Sequence, residues 1–122
     1  MTIQALLILL ALLIAHWLAD FVLQSHHMAS NKGKDNYVLT THVAIYSAVM
    51  WLAACVLVVN VVPGEFALFL FATHWATDYF TSRLTSKLWA HQDWHNFFVV
   101  VGLDQLFHHV QIFFAAAVWI KI

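Results

Sequence analysis

Four pairs of side chains with acid–base or metal-binding chemistry lie four residues apart along this chain: His16 with Asp20, His42 with Tyr46, His74 with Asp78, and Asp104 with His108. On an α-helix that spacing puts both members on one face, about one turn apart. Four helices so equipped can aim their polar groups at one centre, which is how metal sites inside helical bundles are assembled. Imidazole nitrogens with carboxylate oxygens suit zinc, manganese or iron, and the single cysteine, Cys55, lies alone in an apolar run, so a thiolate site is excluded. His16, Asp20, His42, His74, Asp78, Asp104 and His108 are therefore the candidate ligands of one or two divalent ions. Gln24 and Gln105 are candidate donors to those ligands. His42 and Tyr46 are the candidate catalytic residues, His42 as ligand or general base and Tyr46 as a donor beside it.

The elements that must position these groups follow from composition. Of 122 residues 63% are apolar, and only five basic and six acidic residues are present, where a soluble domain of this length carries roughly 30 charges. So little polar surface cannot cover so much hydrocarbon in water, and the natural solvent is a bilayer. A net charge of −1 gives no basic field for nucleic acid. Apolar windows of membrane-spanning length predict helices over residues 2–23, 37–62, 66–82 and 97–120. The expected fold is all-α: a single domain, residues 1–122, of four transmembrane helices in an antiparallel bundle. Residues 24–36 read as a polar loop, Pro63-Gly64 as a tight turn, and residues 83–96, with Trp89 and Trp94 beside Arg83 and Lys87, as a connection lying among headgroups.

No basic residue precedes the first apolar run, and the run ends in His16 and Asp20 rather than in a small-residue cleavage site, so the first helix reads as retained. Lys32, Lys34, Arg83 and Lys87 fall in the first and third connections, which places loops 24–36 and 83–96 in the cytoplasm and both termini outside an inner membrane. Because alternate helices reverse direction, all four polar pairs then lie in the cytoplasmic half. His16 and His74 are separated by the same interval as Asp20 and Asp78, and His42 and Asp104 by the same interval as Tyr46 and His108, which predicts two parallel helical-hairpin repeats. Left uncompensated in a membrane, Asp20, Asp78 and Asp104 together cost on the order of 8–10 kcal/mol. Pairing or a divalent cation must cancel most of that. His26, His27, His91 and His95 read as solvated, His109 as a packing or interfacial residue, and Trp17 and Trp75 as packing around the site.

The run His16-Trp17-Leu18-Ala19-Asp20-Phe21-Val22-Leu23-Gln24, then Lys32, His42, His74 with Asp78, and Asp104-Gln105 with His108, resembles the small membrane proteins of bacteria and phages grouped as domain of unknown function 3307. The resemblance covers nearly the whole chain and implies no particular activity. Members often carry a basic residue three positions after the second motif's Asp; this chain has Thr81 there, with Arg83 and Lys87 nearby. The pairs are also similar to those of small membrane proteins described as metal-dependent hydrolases.

Three functions compete on this sequence. The first is a metal-dependent hydrolase of a lipid or other amphiphile, with water activated by the ion as nucleophile and Lys32, Arg83 and Lys87 attracting an anionic headgroup. The second is a metal-ion or proton transporter or channel subunit, which four helices would complete only as a homo-oligomer or larger assembly. The third is a non-catalytic, phage-type partner of another membrane protein, in which the polar cluster is structural or in which His16, His42, His74 and His108 bind haem.

Overall fold

The computed structural model describes residues 2–122, and five α-helices account for most of them: α1 Ile3–Trp17, α2 His26–Asn31, α3 Asn36–Val58, α4 Gly64–Ala90 and α5 Trp94–Ala115. α1 and α5 each run on into a π-helical turn, Leu18–Val22 and Ala116–Ile120. Short polar side chains start the helices by taking up otherwise orphaned backbone N–H groups. Thr2 accepts from Ala5 N, Ser25 from Met28 N, Asp35 from Tyr37 N and Asp93 from Asn96 N. Asn96 also donates to Asp93 through its side chain, and these bonds hold the exposed Asp93 carboxyl below the usual carboxylate range. α3 stops where Val59 takes a left-handed conformation, and Pro63 then opens α4. In that turn Val62 N donates to Cys55 Sγ and Trp51 Nε1 to Val62 O, so Cys55 is a free thiol tied into the core.

Two connections differ from expectation. The polar segment 24–36 contains α2, because Ser25 caps a run with no proline or interior glycine. The third connection shrinks to His91–Asp93: α4 runs past Ser82 to Ala90, since residues 83–90 are good helix formers and lack a breaker. α4 outlasts its apolar window because it is long, polar-striped and carries Thr73, Thr77, Thr81 and Thr85 at helical spacing.

The long helices pack as sequence neighbours. α4 sits between α3 and α5, α1 lies on α3, and the ring closes along a narrower seam between α1 and α5. Leu12, Met50, Ala54, Phe66, Leu70, Ile112 and Ala115 are wholly buried and fill one half of the interior. Outward faces carry large apolar side chains such as Leu7, Leu52, Leu68, Phe98 and Val110, the arrangement of a bundle whose solvent is lipid. Three segments, Ile3–Val22, Asn36–Val58 and Trp94–Ile120, are long and apolar enough to cross a membrane. The result is an all-α bundle with the character of a multi-pass membrane protein.

Candidate metal centre

Each long helix brings part of the cluster to the other half of the interior. Asp20 comes from the π turn that ends α1, His42 from the second turn of α3, His74 and Asp78 from the middle of α4, and Asp104 and His108 from α5. Asp20, His42, His74 and Asp78 are all buried, and one ligand atom from each lies within 4.8 Å of every other. Asp20, Asp104 and His108 form a second such group. Six of the seven predicted ligands are thus brought together.

The distances within the first group are informative. His42 Nε2 is 3.0 Å from Asp20 Oδ1 and 3.5 Å from Asp78 Oδ2. His74 Nε2 is 3.5 Å from Asp20 Oδ1 and 3.4 Å from Asp78 Oδ2, and it makes no hydrogen bond although it is fully buried. Metal–ligand bonds of about 2.0–2.2 Å separate neighbouring ligand atoms by roughly 2.8–3.6 Å. All four distances fall in that interval. An imidazole nitrogen held without a partner before two carboxylates would be costly unless something positive stood between them. The residues present fit a divalent ion.

The ring of His74 is fixed from both sides. His108 stacks on it with centroids 4.0 Å apart, and Tyr46 covers the opposite face at 3.9 Å. Those van der Waals stacks leave no slot for a porphyrin between His74 and His108. Around the ligands runs a network of amide and hydroxyl donors. Gln105 Nε2 donates to Asp20 Oδ2 (3.2 Å) and Asp104 Oδ2 (3.1 Å), and Thr81 Oγ1 donates to Asp104 Oδ1 (2.5 Å). Gln111 Oε1 lies 3.3 Å from His108 Nδ1, while its amide donates to Thr77 Oγ1. Outer contacts of this kind orient ligands and tune their basicity.

Other predicted residues stand elsewhere. His16 is in neither ligand group: its Nε2 lies 2.9 Å from Gln105 Oε1, and its ring meets His109 edge-on. Gln24 touches no ligand; its Oε1 is buried without a partner in the wall of a pocket. His42 and Tyr46 are buried behind the carboxylates and do not line that pocket. Trp17 is 55% exposed, on the outward face, and Trp75 donates to Thr40 Oγ1 on α3. Arg83 stacks on the Tyr79 ring and donates to Asn36, and Lys87 is exposed.

Lys32 turns inward. Its Nζ lies 2.8 Å from Asp78 Oδ2. It arrives there because Gly33 passes so close to α4 that a Cβ on it would fall 2.7 Å from Ser82 O. Burial opposes the ammonium charge, but Asp78, Asp20 and Asp104 outweigh it and hold the Lys32 pKa above the ordinary lysine value. Lys32 is a fixed cation at neutral pH.

A pocket of about 210 Å³ leads to the cluster, walled by Asp20, Asp78 and Asp104 at its base, Thr81, Ser82 and Thr85 on α4, and Phe21, Phe97 and Val101 on its apolar side. Thr81 and Gln111 are the contacts to the cluster least visible in the sequence. Their signals are the threonine repeat on α4 and the three-residue step from His108 to Gln111. No curated protein and no solved structure matches the chain. Residues 8–122 match the family described as Protein of unknown function (DUF3307), and with nearly its whole length covered the chain belongs to that family.

Proposed function

We propose that this protein is a membrane-embedded, metal-dependent hydrolase acting on a lipid or other amphiphile, with α4 as a fourth span of a single domain and the segments 24–36 and 83–96, the end of α4 included, in the cytoplasm. One observation carries the choice. The His/Asp cluster opens on one side to a pocket lined by both polar and apolar side chains, while behind it Leu12, Met50, Phe66, Leu70 and Ile112 are wholly buried. A pocket that ends at the cluster suits a reaction on a molecule entering from one side, whereas a transporter would have to open the packed side in turn.

Asp20, His42, His74 and Asp78 would hold the ion. When bound, it supplies Lewis acidity toward a carbonyl or phosphoryl oxygen and an activated water at neutral pH. The remaining work belongs to the chain's own groups. Tyr46 and His108 clamp the His74 ring, and Gln105 orients Asp20. Phe21, Phe97 and Val101 would seat the apolar part of the substrate, while Thr85 and Ser82, whose hydroxyls donate to the α4 backbone, line the polar side. Within this reading His42 is a ligand rather than a base, because it lies behind the carboxylates. With Lys32 committed to Asp78 and Arg83 to Tyr79 and Asn36, Lys87 is the one of the three predicted anion-binding residues left to draw in an anionic headgroup.

The test is elemental analysis of detergent-purified protein, wild type against a His74→Ala, Asp78→Asn double variant whose helicity is unchanged. Stoichiometric zinc, manganese or iron in the first and none in the second is expected, followed by metal-dependent hydrolysis of ester or phosphoester amphiphiles. Absence of metal in both, even after loading, would overturn the proposal. Metal with no hydrolysis, but uptake into metal-gradient vesicles that vanishes in Asp78→Asn, would transfer the site to transport.

A further inference from the structure

The two buried carboxylates each divide their oxygens between opposite sides. Asp20 turns Oδ1 toward His42 and His74 and Oδ2 toward Gln105 and the Asp104 side. Asp78 turns Oδ2 toward His42 and His74, and Oδ1 toward His108, whose Nε2 lies 3.1 Å away. His108 Nε2 is in turn 3.4 Å from Asp104 Oδ2. The cluster is therefore two half-sites sharing two carboxylates. One offers two histidines and the other a histidine and a third carboxylate.

We infer that the centre holds two divalent cations, one on His42 and His74, the other on Asp104 and His108, with Asp20 and Asp78 bridging them. The inference rests on the metal reading above and deepens it. Carboxylates with one oxygen on each side are suited to span paired ions roughly 3.5–4 Å apart, the arrangement of many hydrolytic centres. His74 Nε2, buried and unpartnered, marks the first half-site. In the second, the Gln105 amide donates to Asp20 Oδ2 and Asp104 Oδ2 at once, so a donor already gathers those two oxygens where positive charge is wanted.

Charge fixes the order of filling. The carboxylates of Asp20, Asp78 and Asp104 face one lysine, Lys32, so a single divalent ion brings the buried cluster to neutrality. A second ion makes it positive. The first ion should bind tightly and the second at least about tenfold more weakly. A doubly loaded centre attracts an anionic oxygen that the metal-free pocket, with its three carboxylates, would repel.

Manganese(II) titration of metal-free, detergent-purified protein tests this, with free ion read by electron paramagnetic resonance. Two ions per chain in two affinity classes are expected, with a frozen-solution spectrum showing a coupled pair. Asp104→Asn should bind one ion with the tight affinity kept, and its spectrum should be that of an isolated ion. A wild-type plateau at one ion per chain overturns the two-ion inference and leaves the metal reading standing, whereas no binding removes both. The wild-type plateau and coupled signal decide the matter even if the variant does not fold.

Discussion

Lys32→Met should destabilise the metal-free protein by about 3–5 kcal/mol, the cost of leaving the buried Asp78 carboxylate without its charged partner. Asp78 is buried and Lys32 is the one ammonium on it, at 2.8 Å. Without that charge, the buried carboxylates of Asp20 and Asp78 lose the lysine that faces them. A divalent ion restores the missing positive charge, so metal should raise the unfolding midpoint of Lys32→Met by more than it raises that of wild type. Thermal unfolding of both proteins, with and without added manganese(II), measures the difference. Equal metal-induced shifts would mean that Lys32 and the ion do not answer the same carboxylates.

Gly33→Ala is expected to cost about 1–3 kcal/mol, the range for forcing a side chain into a filled space. Gly33 has no positive φ, so its requirement is room rather than backbone conformation. A methyl group there would meet Ser82 O at 2.7 Å, Ser86 Oγ at 2.8 Å and Ser82 C at 3.0 Å, and two of those three atoms belong to the helix backbone and cannot swing aside. The segment after α2 would have to lift from α4 and draw Lys32 off Asp78. The two substitutions should therefore overlap, with Gly33→Ala, Lys32→Met losing less than the sum of its parts. Full additivity, or a Gly33→Ala variant within 0.5 kcal/mol of wild type on the scale usual for neutral surface changes, would sever the link between the close approach and the ion pair.

What the sequence made legible was what helical periodicity carries. His74 and Asp78 lie on a regular α-helix, and their spacing delivers both to the cluster, as it does for Asp104 and His108. His16 and Asp20 share the same spacing but not the same fate, because the π turn beginning at Leu18 intervenes and leaves His16 on Gln105. No composition rule marks that turn. The inward course of Lys32 was also hidden, since a loop lysine reads as solvated until the approach of Gly33 to Ser82 is known. The helical character of residues 83–90 was masked by tryptophans and basic residues that suit a headgroup layer equally well. Thr81 drew notice only as a departure from a basic residue, yet it donates to Asp104.

The π turn at Leu18–Val22 makes the length of this segment matter. Such a turn holds about one residue more than an α-helical turn and often marks functional positions, and here it carries Asp20 to the cluster while His16 stays on Gln105. Removing one residue between Trp17 and Asp20 would replace the π turn by plain α geometry and change the direction in which Asp20 leaves the helix relative to His16. A variant shortened there is expected to draw Asp20 away from His42 and His74. The length of this one stretch, rather than the residue types in it, decides whether a carboxylate reaches the cluster from the first helix.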